Sequence, residues 1–388
     1  MMDAFDRFLQ NKPLYYKEID HQRVHSAYGL LKPHIKQPRT VHIVGTNGKG
    51  STGRMLAHLA YKSGLKVGHF SSPHILKFNE RIWLNGSDST DEALEAAHQR
   101  LFVILGKEMS ESLSYFEYTT LLAFVVFEDC DLMVLEAGLG GEFDATNVCD
   151  KALSVITPIG IDHQAFLGES IEAIAGTKIR SIQKEVLLAP QVYDEVLEVA
   201  KEITEKKGAT LHLSRCPSES VTQLRAIAEE KSWGEYLVEN ACVALQALEL
   251  LHISYEIEDL RTLELFGRFY PLTKNIRIDV GHNPLAAKAI EKALDKKVVL
   301  IYNSLDDKDY EAVLRTLKPK VKQVEIIPIH SQRATTLSEI EEAIQKVGIS
   351  YSYFEGKIDK NEHYLVFGSF YVVEEFLNRM QKKINVPK

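Results

Sequence analysis

The residues best suited to chemistry begin at Gly45, after a short apolar run over 41–44. A glycine-rich turn follows, and Lys49 and Ser51 stand at the start of a segment with helical periodicity. Glycines let backbone N–H groups approach phosphate oxygens closely, and the N-terminus of a helix adds a favourable dipole. Lys49 could reach terminal phosphates, and the Ser51 hydroxyl could ligate Mg²⁺. The pattern predicts a nucleotide phosphate site; the alternative is a strand–helix turn without a ligand.

Residues 45–51 read Gly-Thr-Asn-Gly-Lys-Gly-Ser and depart from the strict G-x-x-x-x-G-K-[ST] motif. The spacing is shorter, and a glycine follows the lysine. The strand, lysine and helix nevertheless occur in the order that phosphate binding requires. We therefore predict that this turn binds ATP through six residues: Asn47, Gly48, Lys49, Gly50, Ser51 and Thr52.

Short apolar runs alternate with helical segments, which predicts βαβ units around a largely parallel sheet. Several runs are almost entirely hydrophobic, as expected of strands covered on both faces. The predicted strands of the first part are 41–44, 65–70, 132–135 and 153–156, and the predicted helices are 51–62, 171–182 and 238–251. The strand pattern then restarts at 275–280, 298–302, 324–328 and 364–367.

The second group of strands predicts a second, smaller domain. At roughly 100–200 residues per domain, a chain of 388 residues can form two or three. We predict an α/β protein in which residues 1–262 form an N-terminal P-loop domain with a mostly parallel sheet. Residues 263–388 would form a smaller C-terminal Rossmann-like α/β domain.

A carboxylate follows one of the predicted strands directly. Glu136 ends the run over 132–135 and precedes a glycine-rich stretch. At the carboxyl end of a strand beside the P-loop strand, a carboxylate can bind the Mg²⁺ that accompanies a nucleotide. A solvated carboxylate at the end of a strand is the alternative.

The charge balance excludes some partners. The chain has 46 Lys and Arg against 54 Asp and Glu, a formal net charge of −8. Without a basic excess to neutralise phosphates, we predict no nucleic-acid or membrane partner. No apolar run reaches the roughly 20 residues of a membrane span, and residues 1–10 lack the apolar core of a signal peptide. We therefore expect a cytoplasmic protein, and a monomer.

The four cysteines, Cys130, Cys149, Cys216 and Cys242, show no C-x-x-C spacing. This distribution predicts neither a disulfide framework nor a zinc site, and it favours a reducing compartment.

Two motifs in register make a family resemblance specific. The turn over 45–51 resembles the P-loop of the folate branch of the Mur ligase superfamily, the bacterial folylpolyglutamate synthases/dihydrofolate synthases. Members of the cell-wall branch typically place a threonine directly after the lysine. Residues 71–82, with Ser-Pro-His followed by Glu-Arg-Ile, resemble an element of the folate branch. Further similarities extend the resemblance from about Asp20 to Val373.

The resemblance implies two Mg²⁺ sites. Residues 136–147 are similar to the family's Glu-x-Gly-x-Gly-Gly…Asp-x-Thr-Asn motif, and residues 162–168 to its Asp-His…Leu-Gly segment. By these matches Ser51, Ser72 and Glu136 would ligate the nucleotide Mg²⁺. His163 would ligate the second ion and act in catalysis, although histidine is an unusual magnesium ligand and chemistry alone favours a buried structural histidine.

A lysine at position 178 matches a catalytic lysine that the family carries in carbamylated form. Carbamylation turns its cation into a carboxylate-like group. The neighbours differ, because residues 177–181 read Thr-Lys-Ile-Arg-Ser where the family typically has Glu-Lys-Ala-Gly-Ile. An exposed helix lysine is the alternative for Lys178.

The C-terminal half resembles the family's second set of nucleotide ligands. Arg268 stands in a Gly-Arg dipeptide and would offer a guanidinium fork to phosphate oxygens. Asp279 and His282 belong to a segment similar to Asp-Gly-Ala-His-Asn-Pro. Asp279 would accept ribose hydroxyl hydrogen bonds. His282 would act in catalysis beside the transferring phosphoryl group or the incoming glutamate, which it would help to bind.

Two further residues are assigned by the same resemblance. Asn240 matches the asparagine that the family uses near adenine, although Tyr236 and Leu237 replace the His-Gln that usually precedes it. Ser369, in a Gly-Ser-Phe-Tyr segment over 368–371, is a candidate substrate ligand. Residues 305–309 and 333–334 also resemble C-terminal motifs of the family.

Aromatic residues supply the candidate folate contacts. Phe116 and Tyr118 belong to residues 114–120, which resemble the segment leading into the pterin side of bifunctional members. Flat faces could stack a pterin ring, and plain core packing is the alternative. Residues 15–23 resemble the stretch that closes over pteroate. The N-terminal domain is therefore predicted to bind a pterin as well as ATP.

The implied reaction is ATP-dependent ligation of an acid to an amino acid. L-glutamate would be added to dihydropteroate, to reduced folates or to both, through an acyl phosphate. Folylpolyglutamate synthase activity alone and a cell-wall Mur-type ligase remain alternatives. A P-loop switch is a third, which would release phosphate without any dependence on glutamate.

Overall fold

The computed structural model describes residues 4–13, 20 and 22–381. Residues 15–23, predicted to close over pteroate, lie largely outside the described residues. The chain divides into two compact units. The first unit is formed by the described residues of Met1–Gly160, Leu167–Pro217 and Asn240–Leu260, and the second unit by those of Ile161–Phe166, Ser218–Glu239 and Arg261–Lys388. The predicted boundary between residues 262 and 263 stays a prediction.

A mixed, mostly parallel sheet forms the first unit. Its strands are β1 (Arg39–Val44), β2 (Val67–Phe70), β3 (Ile82–Leu84), β4 (Ser87–Asp88), β5 (Leu132–Glu136), β6 (Leu153–Ile156), β7 (Glu185–Leu188) and β8 (Thr210–Leu213). Their order in the sheet is β4-β3-β2-β5-β1-β6-β7-β8. Only the pairings of β3 with β2 and β4 are antiparallel among the described strands of this sheet.

The second unit holds a smaller sheet. Its strands are β9 (Tyr270–Pro271), β10 (Ile276–Ile278), β11 (Val298–Tyr302), β12 (Val321–Ile326), β13 (Tyr351–Tyr353) and β14 (Tyr364–Phe367). Their order is β13-β12-β11-β14-β10-β9, and the pairing of β9 with β10 is antiparallel. The prediction of an α/β fold with mostly parallel sheets is confirmed.

Helices connect the strands throughout the described chain. In chain order they are α1 (Ala4–Gln10), α2 (Arg23–Leu31), α3 (Lys49–Lys62), α4 (Asp91–Ser112), α5 (Tyr115–Val126), α6 (Gln164–Leu167), α7 (Ile171–Ile179), α8 (Asp194–Lys207), α9 (Ser218–Lys231), α10 (Glu235–Leu250), α11 (Pro284–Ala293), α12 (Tyr310–Leu317), α13 (Leu337–Val347) and α14 (Phe370–Met380). Each strand and helix predicted from the sequence overlaps an element of the same type. None of these helices combines the length and apolarity that crossing a membrane requires.

Burial explains why the runs of apolar residues form central strands. Every residue of β1 after Arg39 is buried, and so is every residue of β5. One core cluster joins β2 and β5 to the apolar sides of α1, α2, α4 and α5. A second cluster joins β6 and β7 to α7 and α8. Strands covered in this way read as continuous hydrophobic runs.

The prediction that the cysteines form no disulfide is wrong for one pair. Cys216 follows β8 and Cys242 lies on α10, and the fold brings their Cα atoms to 5.3 Å, where they form a disulfide. The two cysteines are 26 positions apart in sequence, so no short spacing motif predicts the pairing. Cys130 and Cys149 are buried free thiols.

Candidate active site

The glycine-rich turn after β1 is held by the main chain. The N–H groups of Thr46 and Asn47 donate to the carbonyl of Pro158, at 3.0 and 3.1 Å. The Thr46 hydroxyl donates to the Gly160 carbonyl, and the Gly160 N–H donates back to that hydroxyl. Because these partners follow β6, the neighbour of β1 in the sheet, the turn is fixed before any ligand contacts it.

The first turn of α3 begins at a position where any residue other than glycine would be strained. Gly48 has φ +85°, and a Cβ there would lie 2.8 Å from the side-chain oxygen of Asn240. The Asn240 amide donates to the Ser51 hydroxyl at 2.8 Å, and that hydroxyl lies 3.2 Å from the Gly48 carbonyl, to which it donates. A serine hydroxyl has two acceptor lone pairs, so Ser51 retains one for a cation. Thr52 is fully buried beside it.

Two lysines meet at one carbonyl of this turn. The Lys49 ammonium donates to the Gly45 and Thr46 carbonyls, both at 3.2 Å. The Lys178 ammonium, on α7, donates to the same Gly45 carbonyl at 2.9 Å and is 4% exposed. Lys178 is therefore not an exposed helix lysine, and the structure brings it to the P-loop turn.

Glu136 lies beside the turn because of strand register. It is the last residue of β5 and pairs with Ile43 of β1, two positions before Gly45. Its side chain is 5% exposed, and its Oε2 accepts the Ser72 N–H at 3.3 Å. The structure thus brings together Glu136 and Ser72, two of the predicted ligands of the nucleotide metal. Ser72 follows β2, which pairs with the other edge of β5.

An arginine that the sequence analysis left without a role positions Ser72. Arg81 is 8% exposed, and its guanidinium donates to the Ser72 hydroxyl at 3.1 Å and to His74 Nδ1 at 2.8 Å. It also lies over the Tyr115 ring, 5.2 Å from the centroid. Burial, followed by the charge of Arg81, lowers the pKa of His74 to about 4, so this imidazole stays a neutral acceptor. Arg81 belongs to the Glu-Arg-Ile element, which was the available signal.

A buried network fixes the loop after Glu136. The Asp144 carboxylate accepts the N–H groups of Leu139 at 2.9 Å and Thr146 at 3.0 Å, and the Thr146 hydroxyl at 2.6 Å. His42 Nε2, on β1, lies 2.7 Å from that hydroxyl. Burial raises the pKa of Asp144, and these hydrogen bonds oppose the rise. The Asp-x-Thr-Asn pattern therefore shapes the loop that follows the predicted metal ligand.

The two predicted folate aromatics differ in exposure. Tyr118 is fully buried, its ring packs 4.7 Å from that of Phe8, and its hydroxyl lies 2.8 Å from His98 Nδ1. Phe116 is partly exposed and packs against the loop after β5, where a Cβ at Gly138 would lie 2.7 Å from its ring. Phe116 therefore offers surface beside Glu136, whereas Tyr118 has no free face in this structure.

A network of charged side chains surrounds Asp162 in the second unit. The Lys308 side chain is 2% exposed, and its ammonium lies 2.6 Å from Asp162 and 3.4 Å from Asp307. Arg333 pairs with Asp307 at 2.5 Å. The Asn283 amide, which also caps α11, donates to Asp162 at 3.2 Å. The sequence analysis gave Lys308 no role, although residues 305–309 were noted as a family-like motif.

His163 and His282 both contact this network. His163 has φ +53°, an uncommon conformation for a residue other than glycine. Its Nε2 lies 3.3 Å from the Lys308 ammonium, and burial lowers its pKa to about 4. His282 Nε2 lies 3.6 Å from Asp162. Burial alone would raise the pKa of Asp162, but His282, His163 and Lys308 together hold it well below its usual range.

Asp279 and Arg268 lie at the end of β10. The Asp279 carboxylate is 5% exposed and accepts three hydrogen bonds, from the N–H groups of Phe269 and Gly281 and from the Tyr236 hydroxyl. Burial raises the pKa of Asp279, and the charge of Arg268 opposes that rise. The Arg268 guanidinium lies over the Phe370 ring, 5.3 Å from the centroid.

The structure gives Ser369 a structural contact of its own. It is 2% exposed, and its hydroxyl accepts the Val372 N–H as the N-cap of α14.

No group of three or more His, Cys, Asp or Glu side chains is arranged to hold a metal ion within residues 4–13, 20 and 22–381. The predicted donors Ser51, Ser72 and Glu136 nevertheless suit Mg²⁺ chemically, because all three offer oxygen.

In the first unit, a glycine-rich phosphate turn stands beside a buried carboxylate and a buried lysine, an arrangement typical of an ATP-dependent enzyme. No protein-family model matches the chain. A dihydrofolate synthase/folylpolyglutamate synthase from Haemophilus influenzae is 31% identical over 389 residues, covering 87% of this chain and 88% of the relative. The crystal structure of Helicobacter pylori folylpolyglutamate synthetase is 41% identical with a TM-score of 0.79, covering 97% of this chain and 98% of that one.

The Escherichia coli FolC structure with DHPP and ADP is 27% identical with a TM-score of 0.79, covering 97% of each chain. These similarities define the class, an ATP-dependent ligase with the fold of the folate branch of the Mur ligases. The chain belongs to the dihydrofolate synthase/folylpolyglutamate synthase family. The predicted family and ligase class are confirmed, whereas the cytoplasmic location, the monomeric state and the individual site roles stay predictions.

Proposed function

We propose that this ligase adds L-glutamate to dihydropteroate and to reduced folates, and that residues of the P-loop turn, Glu136 and Lys178 carry the chemistry. The observation that supports this most directly is the convergence of Lys49, Lys178 and Glu136 on the turn after β1. The Haemophilus influenzae relative carries the names of both folate activities.

A carboxylate does not acylate an amine at neutral pH because its oxygen is a poor leaving group. In the proposed reaction the substrate carboxylate oxygen attacks the γ-phosphorus of ATP, which releases ADP and leaves an acyl phosphate. The glutamate ammonium loses one proton to become an amine, which attacks the acyl carbon. Phosphate then leaves and the nitrogen releases a second proton to solvent, so the product amide keeps one N–H. Phosphoryl transfer of this kind depends mainly on positioning and on neutralising charge.

Each predicted residue of the P-loop region has a defined task in this reaction. Lys49 neutralises charge on the transferred phosphoryl group. The N–H groups at the start of α3 hold the phosphates. The Ser51 hydroxyl offers its remaining lone pair to a cation. Ser51, Ser72 and Glu136 would hold a Mg²⁺ ion, which would supply further positive charge at the phosphates. The predicted second Mg²⁺ at His163 stays part of the proposal on the family resemblance, although imidazole is an unusual magnesium ligand and the Lys308 ammonium lies 3.3 Å from His163 Nε2.

The shared Gly45 carbonyl supports carbamylation of Lys178. Lys49, which is partly exposed, and Lys178, which is buried, both lie within hydrogen-bond distance of that one oxygen, so the two ammonium groups would repel each other. A carbamate keeps one N–H for the Gly45 carbonyl and adds a negative charge beside Lys49. Carbamylation would therefore replace the repulsion by an attraction without losing the observed contact.

Labelled bicarbonate tests the modification directly. A carbamate carbon signal in the ¹³C spectrum of wild type, absent in Lys178→Ala, is expected. Lys178→Ala should be inactive and regain part of its activity with acetate, whereas Lys184→Ala, which removes an exposed lysine, should be unaffected. An active enzyme without the carbamate signal would contradict carbamylation.

Product analysis tests the substrates. ATP, Mg²⁺, glutamate and dihydropteroate should yield dihydrofolate by mass spectrometry, and each omission should abolish the product. Tetrahydrofolate should also be extended. Extension of tetrahydrofolate alone would mean that the protein is a folylpolyglutamate synthase only. Phosphate release that does not require glutamate would contradict ligation altogether.

Phe116 is the residue we propose to contact the pterin side of the folate. Its partly exposed ring beside the loop after Glu136 supports this role. Tyr118 would take part only if the residues packed on its ring moved. Phe116→Ala should raise the KM for dihydropteroate about tenfold, the scale of a lost aromatic stacking contact. His282, predicted to lie beside the incoming glutamate, should leave that KM unchanged when replaced.

A further inference from the structure

Tyr236, near the start of α10, contacts the carboxylate that we propose for ribose recognition. Its hydroxyl donates to Asp279 Oδ2 at 3.1 Å. The same oxygen accepts the Phe269 N–H at 2.8 Å, while Oδ1 accepts the Gly281 N–H at 2.7 Å. All of these residues belong to the second unit.

These three donors fix how the carboxylate can receive a ligand. A carboxylate offers about four lone-pair sites, two on each oxygen. Phe269 and Tyr236 fill both sites of Oδ2, and Gly281 fills one of Oδ1. Among the described donors, one site on Oδ1 is therefore left for an external hydroxyl.

The tyrosine is held as a permanent donor. Its ring packs partly buried against the core of the second unit, and the chain approaches it closely at Gly234. Burial, followed by the negative charge of Asp279, raises the pKa of Tyr236 well above its ordinary value. The hydroxyl thus keeps its proton, and the hydrogen bond points from Tyr236 to Asp279 across the working pH range of the enzyme.

We propose that Tyr236 is a positioning residue for nucleotide recognition: its hydroxyl occupies Asp279 Oδ2, so that only Oδ1 faces a ribose hydroxyl. The inference rests on the proposed role of Asp279 in ATP binding. Without the tyrosine hydroxyl, Oδ2 would have an open site, the carboxylate could rotate, and recognition of one hydroxyl in one orientation would be lost.

Steady-state kinetics of Tyr236→Phe with ATP, 2′-deoxy-ATP and 3′-deoxy-ATP test this. The KM for ATP should rise about fivefold to tenfold, the scale of one hydrogen bond to a charged group, while kcat changes less than about twofold. The decisive quantity is the KM ratio of the more affected deoxynucleotide to ATP. That ratio should fall towards one in Tyr236→Phe. A merely structural role would raise both KM values together and leave the ratio unchanged.

Tyr364→Phe is the matched control. Tyr364 is a buried tyrosine of the same unit whose hydroxyl accepts the Asp359 N–H at 3.0 Å, at the other end of β14 from Ser369. Its replacement should leave the ratio at the wild-type value. Circular dichroism and the unfolding midpoint of both variants show whether either has lost its fold.

Asp279→Asn separates this inference from the function on which it rests. If Asp279→Asn leaves the ratio unchanged, Asp279 does not contact the ribose, and its proposed role fails. If Asp279→Asn lowers the ratio but Tyr236→Phe does not, Asp279 keeps its role and the inference about Tyr236 is overturned. A lowered ratio in both variants, with the Tyr364→Phe value unchanged, supports it.

Discussion

Two regions of the molecule are organised by different forces. The first is the P-loop region of the first unit, which comprises residues 45–52 with Glu136 and Lys178. The second is the Asp162 region of the second unit, which comprises Asp162, Asp307 and Lys308. In the P-loop region, main-chain groups fix the turn, through the Thr46 and Asn47 amides and the Pro158 carbonyl. In the Asp162 region, side-chain charges fix one another, with Lys308 buried between Asp162 and Asp307.

This difference determines how each region responds to substitution. A turn held by main-chain hydrogen bonds keeps its shape when one side chain is removed, so only the chemistry of that side chain is lost. A buried charge that loses its partner remains in a medium of low dielectric, and the whole region is destabilised. We therefore expect substitutions in the P-loop region to affect mainly catalysis, and removal of the buried charge of Lys308 or Asp162 to affect mainly stability.

The largest effect is expected for Lys308→Met. Removing the ammonium leaves Asp162 and Asp307 without their buried cation, which should lower the unfolding free energy of the second unit by about 3–5 kcal/mol. The two tryptophans, Trp83 in the first unit and Trp233 in the second, allow a separate readout. Urea unfolding of a Trp83→Phe background reports the second unit.

The control is Lys322→Met, which removes an exposed pair with Glu362 and should cost less than about 1 kcal/mol. Equal losses of unfolding free energy in the two variants would contradict the special importance of the buried Lys308.

Lys49→Ala should abolish ligation while the fold remains intact. Losing a charge-assisted contact to the transferred phosphoryl group should cost on the order of 3 kcal/mol in the activation free energy, or about a hundredfold in kcat. Lys62→Ala, at the exposed end of the same helix, is the control. More than about a tenth of wild-type kcat in Lys49→Ala would contradict its role, since that loss is only about 1.4 kcal/mol.

Gly48→Ala tests the main-chain geometry itself. An alanine there would adopt φ +85° and meet Asn240 at 2.8 Å, for a combined cost of about 1–3 kcal/mol and a weaker affinity for ATP. Gly64→Ala, at the other end of α3, has φ +98° with nothing within 4 Å. It should show the backbone strain alone, with nucleotide binding by calorimetry unchanged. The same loss of affinity in both variants would mean that the contact with Asn240 has no importance.

A smaller, pH-dependent effect is expected from His58 on α3. Its Nε2 lies 3.1 Å from the Asp259 carbonyl, and burial lowers its pKa below the ordinary value. Below about pH 6.5 the unfolded chain binds a proton that the folded chain does not, so stability falls as pH falls, by at most about 1.4 kcal/mol per unit.

The measurement is urea unfolding at about pH 7.5 and 5.5 in a Trp233→Phe background, which reports the first unit. His58→Gln should lose less stability than wild type over this interval, the difference being at most about 1.4 kcal/mol. His25→Gln, which replaces an exposed histidine, should follow the wild-type pH dependence. A His58→Gln curve identical to wild type would show that folding does not lower the pKa of this histidine.

Sequence reasoning identified the P-loop region well for the same reason that main-chain groups hold it. A turn of this kind is encoded by adjacent residues, so Lys49 and Ser51 were found by their order along the chain. The Asp162 region is formed by residues far apart in sequence. Lys308 received no role because no pattern in the residues around it predicts its contact with Asp162. The Cys216–Cys242 disulfide was missed for the same reason.

Burial was the other property that the sequence could not supply. Phe116 and Tyr118 are equivalent as aromatic residues in one segment, yet only Phe116 keeps exposed surface. Tyr118 lies on the side of α5 that packs against α1 and α4, which the helical period alone did not assign. The positions of the strands, in contrast, followed from their continuous apolar runs.

The sheet order of the first unit determines when β1 can pair with its neighbours during protein synthesis. Val41 of β1 pairs with Val134 of β5, which the ribosome adds about ninety residues later, and Pro158, the acceptor for the P-loop amides, comes later still. At about 5–20 residues per second, the nascent β1 waits roughly 5–20 s for its neighbours. During that interval an apolar strand and its glycine-rich loop leave the ribosome without the contacts that shape them. The phosphate turn therefore cannot take its final hydrogen bonds until Pro158 has been synthesised.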